Sequence, residues 1–427
     1  MALWQDIYSG SPPWQYVRRS GLYGRGERRM AMLGCAKVLC DSLAALTFGT
    51  QADIYCADDA QREYVLEVLQ KNSFWENMPS FFSRAYALGG GVLKVYSDGE
   101  EIRTDYVDAD MFIPLSASNG AADGGIFCGA VYSHGERYTL LERHLDGKVD
   151  RYVFDAKGRE ADCEAVTGLE QSTGYGAGTG FAYFKPSVTN PDGQSLYGMS
   201  VIDGCIDTLR AIDTVFDSFT REFILGRKRI IVPSSCIRTV VDPETGKVSR
   251  YFDTDDEVYQ ALKCDEDREL KITDNTTELR VTEHRDALNA LLDVLCFQTG
   301  LSAGTLSFTA GGLKTAAEVK SMEQRTEITM QQNRFLAAEL IERTAMLISR
   351  CGIETGAIKS ISPVRAVFAD SQTLDREKTA NENIRLYEAG LRSRTRAVME
   401  INDCSADEAR QEEMLIDRER RYDDERE

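Results

Sequence analysis

The stretch that most constrains this chain is a glycine-rich loop that leads directly into one very long predicted helix. Residues 300–314 contain four glycines, and Thr315 and Glu318 then have the spacing of a capping box, in which both side chains satisfy backbone amides at a helix start. No proline follows before Gly352. The pattern predicts a helix from Thr315 to about Arg350, roughly 35 residues and about 50 Å long. Such a helix is about three times the average length in globular proteins, which favours a subunit of a large assembly over a compact enzyme.

The balance of charge limits which ligands the surface attracts. Among 427 residues, 69 are acidic and 50 are basic, which gives a formal net charge of -19. Tight non-specific binding of nucleic acid depends on lysines and arginines that displace counterions. We therefore expect that this chain does not grip DNA, even if it handles DNA. The hydrophobic content of 42% is ordinary for a folded protein.

The sequence indicates neither a membrane segment nor an exported product. It contains no run of 18 apolar residues, and its first eight residues lack the basic and apolar regions of a signal peptide. We therefore expect no membrane contact and a product that stays in a cytoplasm.

The residue types that carry catalysis and metal binding are sparse or scattered. The 11 cysteines include no pair with the spacing of a metal knuckle, and none of the 3 histidines lies near a recognisable nucleophile. We interpret the cysteines as small buried hydrophobes, and His134, His144 and His284 as surface or interface residues. No catalytic, cofactor-binding or metal site is predicted, although a site assembled from distant carboxylates stays open.

Two other motifs have simple interpretations. The glycine run at 174–180 lacks the following helix that a phosphate-binding loop needs, because residues 181–184 have the pattern of a strand. The acidic run at 253–257 lacks the glycine and the terminal glutamate of an EF-hand. We interpret the first as a surface loop and the second as a solvated helix start.

The N-terminal part of the chain alternates between helical and strand-like patterns. Residues 1–24 are expected to form an irregular arm. From Val92 to Phe154, short β-prone runs separated by turn signals predict a mostly antiparallel region. Apolar residues at helical spacing predict the helices of this part, which run from about Glu27 to Gly49, from 59 to 70 and from 74 to 88.

Two amphipathic helices bracket a small insert at 230–281. The first opens at Ser200, and the second runs from Glu283 to Thr299, each with an apolar stripe. By the simplest geometry they form an antiparallel pair from which the insert projects. Off the first stripe lie Asp203, Asp207, Asp213 and Asp217. The stripes consist of Ile202, Ile206, Leu209, Ile212, Phe216, Phe219 and Phe223 in the first helix, and of Leu288, Leu291, Leu292 and Leu295 in the second.

Shorter patterns predict the insert and the C-terminal region. The insert is expected to contain strands, a turn at 242–246 and a short helix near 257–262. The chain is expected to end in short helices near 373–389, 393–401 and 405–421, followed by a charged tail that frays.

Six short motifs occur in order along most of the chain. They are AYALGGGVLK at 85–94, YVDADMFIP at 106–114, LYGMSVID at 196–203, RIIVP at 229–233, LSAGTLSF at 301–308 and KTAAEV at 314–319. No single motif is diagnostic. With this order and spacing, the chain resembles the portal proteins of tailed bacteriophages, most closely the type found in long-tailed phages and prophages of Gram-positive bacteria.

The resemblance implies an α+β portal-protein fold. This fold has long stem and wing helices, an antiparallel β wing region, a small α/β clip insert and a short helical crown. Mapped onto the sequence, its parts are the N-terminal arm and wing at 1–199, a stem helix at 200–229, the clip at 230–281, a second stem helix at 282–300, the tunnel loop at 301–314, the long wing helix with the following segment at 315–369, and the helical crown with the charged tail at 370–427.

The resemblance also implies a structural protein without enzymatic activity or cofactor. Its subunits would form a ring, usually a dodecamer, at one vertex of the procapsid and virion, after assembly in the host cytoplasm. Double-stranded DNA would pass through the ring during packaging by the terminase large subunit and again during ejection. Further implied partners are a head-completion adaptor, the tail, and the major capsid and scaffolding proteins.

Two sets of residues would face the DNA in such a ring. The acidic residues of the first stem helix would be available to the channel, where they discourage adhesion of the duplex. The residues implied for the tunnel loop next to the DNA are Ser307, Phe308, Thr309, Ala310, Gly311, Gly312, Leu313 and Lys314.

Two alternatives stay open, namely another ring-forming phage component and an unrecognised hydrolase. A measurement of particle size distinguishes the hydrolase hypothesis from the two ring-forming hypotheses. A portal would sediment as a ring of hundreds of kilodaltons, whereas an enzyme of this length is usually a monomer or dimer.

Overall fold

In the computed structural model the chain folds into two compact units. They comprise residues 1–39 with 201–329, and residues 40–200 with 330–427. The predicted mixture of helices and antiparallel sheet is confirmed. The residues that the structure describes are 1–21, 24–97, 101–118, 121–174, 180–225, 230–231, 238–241, 248–251, 273–274, 278–308, 316–368, 380, 382–402, 409–410 and 412–415.

The secondary-structure elements have the following bounds. The helices are α1 (Ala2–Tyr8), α2 (Cys35–Thr47), α3 (Asp59–Lys71), α4 (Phe74–Leu88), α5 (Cys163–Thr167), α6 (Ile206–Leu225), α7 (Val281–Gln298), α8 (Ala316–Glu354) and α9 (Arg394–Asn402). The strands are β1 (Tyr16–Gly21), β2 (Gly24–Arg29), β3 (Ala52–Cys56), β4 (Gly91–Ser97), β5 (Ile102–Asp108), β6 (Phe112–Ser118), β7 (Ala121–Ser133), β8 (Glu136–Leu145), β9 (Lys148–Phe154), β10 (Glu160–Ala161), β11 (Ser172–Gly174), β12 (Gly180–Phe184), β13 (Ile230–Ile231), β14 (Arg238–Val241), β15 (Val248–Tyr251), β16 (Thr273–Asp274) and β17 (Val364–Phe368).

The N-terminal arm of the first unit is ordered, so the prediction of an irregular arm is wrong. It consists of α1 and the antiparallel hairpin of β1 and β2. Glu27 pairs with Arg18 in that hairpin and therefore does not start a helix. Gly34, with a φ of 70°, turns the chain just before α2 begins at Cys35. The helical spacing predicted from Glu27 is therefore realised only from Cys35 onward.

The insert between α6 and α7 is described only by its strand pairs. β13 pairs with β16, and β14 pairs with β15, both antiparallel. The predicted turn at 242–246 and the predicted helix at 257–262 lie outside the described residues. The division of the chain into wing, stem, clip and crown stays a prediction.

The second unit contains the antiparallel region predicted from Val92 to Phe154. One sheet has the order β12-β4-β5, and another has the order β10-β9-β8-β7-β6, with β11 paired to β9. β3 pairs with β17, so a strand near the start of this unit meets one that follows α8. The predicted strand at 181–184 lies within β12. The predicted loop at 174–180 joins β11 to β12, and residues 175–179 of it lie outside the described part.

Helix α4 forms the aromatic core of the second unit. Phe74, Phe81, Phe82 and Tyr86 recur at helical spacing and are 0 to 1% exposed. The Phe82 ring centroid lies 4.4 Å from that of Phe184 in β12, which joins the helix to the sheet. Both predicted helices, 59–70 and 74–88, are confirmed within one residue as α3 and α4.

Glycine is required where the chain leaves α4. Gly89 ends the helix with a φ of 83°, a left-handed conformation that other residues rarely adopt. A Cβ atom there would lie 2.9 Å from the carbonyl oxygen of Gly198. The two backbone segments therefore approach more closely than any side chain permits.

The long helix α8 is confirmed and spans 39 residues. Gly352 does not end it, because α8 continues to Glu354. A Cβ atom at Gly352 would lie 2.6 Å from the Tyr64 ring, so this glycine permits close packing. Thr315 and the side chain of Glu318 lie outside the described residues, so the capping box stays a prediction. Of the predicted C-terminal helices, the second is α9, residues 382–388 of the first are helical, and most of the third is not described.

The interpretation of the cysteines is confirmed for six of them, whereas that of His144 is wrong. Cys35, Cys40, Cys163, Cys205, Cys296 and Cys351 are buried thiols. His144 is 0% exposed and lies among aromatic rings, with its centroid 4.8 Å from that of Phe127. Burial lowers the pKa of His144 to about 4, so this side chain is neutral at physiological pH.

Two glycines of β7 give a matched test of packing in the sheet. A Cβ atom on Gly125 would overlap the Phe112 ring, whereas nothing lies within 4 Å of one on Gly129. We expect Gly125→Ala to destabilise the protein by about 1 to 3 kcal/mol. Gly129→Ala should change stability by less than about 0.5 kcal/mol. Urea denaturation followed by circular dichroism measures both, and equal effects would contradict this packing.

Candidate functional site

The apolar stripe of α6 is buried at its start and exposed at its end. Ile202 and Ile212 are 0% exposed and Leu209 is 3% exposed, whereas Phe223 is 43% exposed. The stripe therefore packs α6 firmly against its surroundings only over its first part. Of the other predicted members, Leu288, Leu292 and Leu295 are buried, and Ile206, Phe216, Phe219 and Leu291 are half-buried.

An ion pair links α6 to the start of α7, near the exposed end of the apolar stripe. Arg280 donates two hydrogen bonds to Glu222, at 3.2 and 2.9 Å. These hydrogen bonds lower the pKa of Glu222 to about 2, so the pair stays ionised in mildly acidic solution. The His284 ring lies 5.8 Å from the Phe219 ring. These contacts confirm that α6 and α7 run antiparallel and fix which residues lie side by side.

The predicted acidic residues of α6 are held by the N-terminal arm. Trp4 Nε1 donates to Asp203 at 2.8 Å, and Trp14 Nε1 donates to Asp213 at 3.0 Å. Arg28 binds Asp217 with both guanidinium nitrogens, at 2.6 and 2.5 Å. Asp213 and Asp217 lie on α6, whereas Asp203 lies in a 3-10 turn just before it, because α6 begins at Ile206 and not at the predicted Ser200. These three carboxylates bind three side chains of the arm.

Backbone amides complete the environment of two of these carboxylates. Asp213 accepts from the Leu33 amide and Asp217 from the Ala31 amide, both at 3.0 Å. The hydrogen bonds from Arg28 lower the pKa of Asp217, whereas burial raises that of Asp213. The arm therefore stabilises the charge of Asp217 with a cation, whereas the donors that it gives Asp213 are the Trp14 indole and the Leu33 amide.

The prediction that all four acidic residues form an open face is wrong for Asp213 and Asp217. They are 5% and 6% exposed, because the arm covers them. Asp203 is half-buried, and Asp207 is exposed. Of the predicted acidic residues, Asp207 is thus the one that the described part of the chain leaves fully open to solvent.

The segment that follows α7 is tied to the start of α8. The amide of Ser302 donates to Thr326 Oγ1 at 2.8 Å, and the amide of Thr326 donates back to Ser302 Oγ at 3.2 Å. Thr329 Oγ1 donates to the carbonyl oxygen of Gly300 at 2.7 Å. Gly300, with a φ of 77°, adopts the left-handed conformation that reverses the chain here. The first residues of the predicted tunnel loop are therefore fixed.

Helix α7 holds the same segment from the other side. The amide of Gly304 donates to Asp293 at 2.8 Å, and that of Phe308 to Asn289 Oδ1 at 3.3 Å. The predicted loop residues Ser307 and Phe308 thus lie beside α7, with Phe308 58% exposed. The others lie outside the described residues and stay predictions: Thr309, Ala310, Gly311, Gly312, Leu313 and Lys314.

Sequence comparison identifies the family of the chain. The profile described as phage portal protein, SPP1 Gp6-like, matches residues 25–424. The chain belongs to the phage portal protein family. Two solved structures align with this portal protein, the virion of a native gene transfer agent particle and the neck of an empty gene transfer agent particle. Each is 12% identical, has a TM-score of 0.44, and aligns over 86% of this chain and 88% of that chain. No curated protein matches the sequence.

The described residues of this portal protein contain no cluster of three or more histidine, cysteine, aspartate or glutamate side chains placed to bind a metal ion. Among the described helices, none combines the length and the apolar character that crossing a membrane requires.

The arm residues that hold α6 escaped sequence-based prediction. Trp4, Trp14 and Arg28 lie about 190 to 200 positions from their carboxylate partners along the chain. One usable signal was present, because two of only 3 tryptophans fall in the first 14 residues. Buried tryptophans usually bind a hydrogen-bond acceptor.

Proposed function

We propose that this portal protein forms a ring-shaped channel at one capsid vertex. Double-stranded DNA enters through the ring when the terminase packages it and leaves through it at ejection, and head-completion and tail proteins attach to the same ring. The observation that carries this proposal is the match to the portal family over residues 25–424. The ring is a dodecamer that also contacts the major capsid and scaffolding proteins, assembles in the host cytoplasm and remains in the virion.

The electrostatics support a channel that DNA passes without sticking. The formal net charge of -19 per chain repels phosphates, and each ring would multiply that charge. Asp207 is exposed on α6 and is the acidic residue that we assign to the channel wall. Asp213 and Asp217 are assigned instead to holding the arm, since their carboxylates are already bound. The protein needs no catalytic residue of its own, because the terminase supplies the energy.

Two segments outside the stem complete the proposal. The residues after Phe308 form a loop around the duplex, in which Gly311 and Gly312 supply flexibility and Lys314 places one positive charge per subunit near the DNA. The fixed contacts of Ser302 and Phe308 support a loop anchored at its base. The insert at 230–281, which connects the end of α6 to the start of α7, docks the terminase during packaging and the head-completion adaptor afterwards.

Electron microscopy and a packaging assay test this function together. The purified protein should appear as rings of hundreds of kilodaltons, and a monomer or dimer would contradict the proposal. Lys314→Glu, or replacement of Gly311 and Gly312 by proline, should leave rings and proheads intact but reduce the length or retention of packaged DNA. Deletion of the insert should leave rings intact and abolish attachment of terminase and adaptor. Normal DNA content in the loop variants would show that the loop is only a connection.

A further inference from the structure

A groove lies between the N-terminal arm and α6. Its volume is about 630 Å³, and one wall is the arm, with Trp14, Tyr16 and Met30. Its floor is a polar stripe of α6 at helical spacing, namely Arg210, Thr214 and Ser218. Thr214 and Ser218 are short, so the floor leaves space for another element to approach closely. The wall residue Tyr16 is 52% exposed, which leaves an aromatic ring partly uncovered.

Helix α7 carries a second apolar stripe in addition to the one that packs inside the unit. Its members are Ala287, Ala290, Val294 and Phe297, at steps of three and four, and all are exposed. Val294 is 45% exposed and Phe297 is 67% exposed. The buried stripe of α7 occupies the other side of the helix. Arg325 of α8 stacks on the Phe297 ring at 4.6 Å and covers part of it. An ordinary surface helix has one apolar stripe, so the exposed remainder of this second stripe is a candidate contact surface.

The groove and the second stripe lie on different faces of the same unit. The arm contacts α6 on the side of Asp213 and Asp217, whereas α7 contacts it through Phe219 and Glu222. A ring that closes head to tail needs two different, complementary faces on each subunit. The groove is concave and the α7 stripe is convex, so the chain supplies both.

The internal register shows which residues would meet. Phe219 contacts His284 within the subunit. Because the two helices are antiparallel, nine residues back from Phe219 along α6 and nine residues forward from His284 along α7 reach the same level. Arg210 is therefore level with Asp293. Five residues in the same two directions bring Thr214 level with Asn289, the neighbour of Ala290. We take the axis of the proposed ring to run along these helices. Rotation about such an axis keeps the levels, so they also hold between adjacent subunits.

Charge and size both match at these levels. Arg210 faces the level of Asp293, and both side chains are exposed. Thr214 is level with Asn289, one residue from Ala290, and Ser218 is level with Arg285, two residues or about 3 Å from Ala287. The short side chains of the floor thus lie near the alanines of the stripe, so two helices can approach closely there. Within the groove, Arg28 is bound by Asp217, and Arg18 lies 3.7 Å from Glu27. Arg210 is therefore the groove arginine that we match to the acidic flank of α7, at the level of Asp293.

We propose that the second apolar stripe of α7 seats in the arm–α6 groove of the neighbouring copy of this chain. This inference rests on the proposed ring and specifies its contact. The N-terminal arm would then act as the outer wall of each subunit boundary, and its three attachments to α6 would set the width of the groove. Arg210 of one copy would form an ion pair with Asp293 of the next.

Cysteine cross-linking of the full-length protein tests this contact. We expect Thr214→Cys with Ala290→Cys, and Ser218→Cys with Ala287→Cys, to give a ladder of covalent multimers under mild oxidation. A mixture of the two single variants, Thr214→Cys and Ala290→Cys, should give dimers only, because each cross-link then joins one copy of each kind. The pair Ser218→Cys with Phe297→Cys is the control. It is out of register by about 18 Å at 1.5 Å per residue and should give no ladder.

Sedimentation and negative-stain imaging of the same samples distinguish failure of this contact from failure of the proposed ring. Rings that form without a ladder from either matched pair would overturn this contact and leave the proposed function standing. A ladder from the out-of-register pair as strong as that from the matched pairs would overturn the register. Absence of rings from the unmodified protein would instead overturn the proposed function.

Discussion

Replacing Ile212 with aspartate is expected to unfold the first unit. Ile212 is 0% exposed in the middle of α6, among the residues that hold the helix to the rest of the unit. The change removes the packing of a buried aliphatic side chain, worth about 2 to 5 kcal/mol. It also buries a carboxylate without a partner, which costs several kcal/mol more. Because a whole domain is stable by about 5 to 15 kcal/mol, little or no folded unit should remain.

The same substitution at the other end of the stripe is the matched control. Phe223 belongs to the same predicted stripe of α6 but is 43% exposed, so an aspartate there stays hydrated. We expect Phe223→Asp to change the free energy of unfolding by less than about 1 kcal/mol. Soluble yield, circular dichroism and urea denaturation of the purified full-length protein measure both variants. Equal damage from the two would contradict the burial gradient along α6.

This gradient shows what helical periodicity can and cannot predict. The spacing of apolar residues predicted the side of α6 that packs, which is buried at Leu209 and Ile212. It carried no information about how far the covering elements extend along that side, because Phe223 belongs to the same stripe and is 43% exposed. The elements that cover each end of the helix come from distant parts of the chain.

The acidic residues of α6 illustrate a second limit. A carboxylate at helical spacing has the same pattern whether it faces water or a buried donor. Asp213 and Asp217 were therefore placed correctly on the helix but wrongly in solvent. Their partners come from a segment whose hairpin was not predicted: residues 1–24 were expected to form an irregular arm, and Arg28 was expected to lie in a helix. Only the fold brings these two segments together.

Two predicted helix ends are wrong because the residue at each one makes a tertiary contact. Glu27 fitted a helix start, yet strand pairing with β1 took precedence over helix propensity. Gly352 fitted a helix end, yet it permits contact with the Tyr64 ring inside a continuing helix. In both cases a tertiary contact decided the structure. Individual elements with a clear pattern, such as α3, α4 and β12, were predicted almost to the residue.

Asp217→Asn is expected to release the N-terminal arm. The substitution removes the charge that both guanidinium nitrogens of Arg28 bind. Removing one partner of a fully buried ion pair costs about 3 to 5 kcal/mol. The Arg28 side chain is 23% exposed, so water compensates part of the loss. We expect a cost of about 2 to 3 kcal/mol, which shifts the balance between docked and released arm by a factor of roughly 30 to 150.

The fluorescence of Trp4 and Trp14, and protease cleavage within residues 1–33, report the release. Asp207→Asn is the control, because Asp207 lies on the same helix but is exposed, and it should leave the arm docked. Cleavage of the arm at equal rates in both variants would show that the Arg28 contact does not hold it.

The pH dependence of docking tests the same contact without a new side chain. Arg28 lowers the pKa of Asp217 below its ordinary value of 3.8, so the stability that this pair contributes is present above pH 3.8 and is lost as the pH falls through the native pKa. Burial raises the pKa of Asp213, whose contribution is present below pH 3.8 and is lost as the pH rises through its native pKa. The two carboxylates therefore act in opposite directions, and the unmodified protein alone does not separate them. The difference in docking between the unmodified protein and Asp217→Asn isolates Asp217. This difference should be largest near neutral pH and should shrink below pH 3.8, and a constant difference would assign the arm contact to something other than the Asp217 charge.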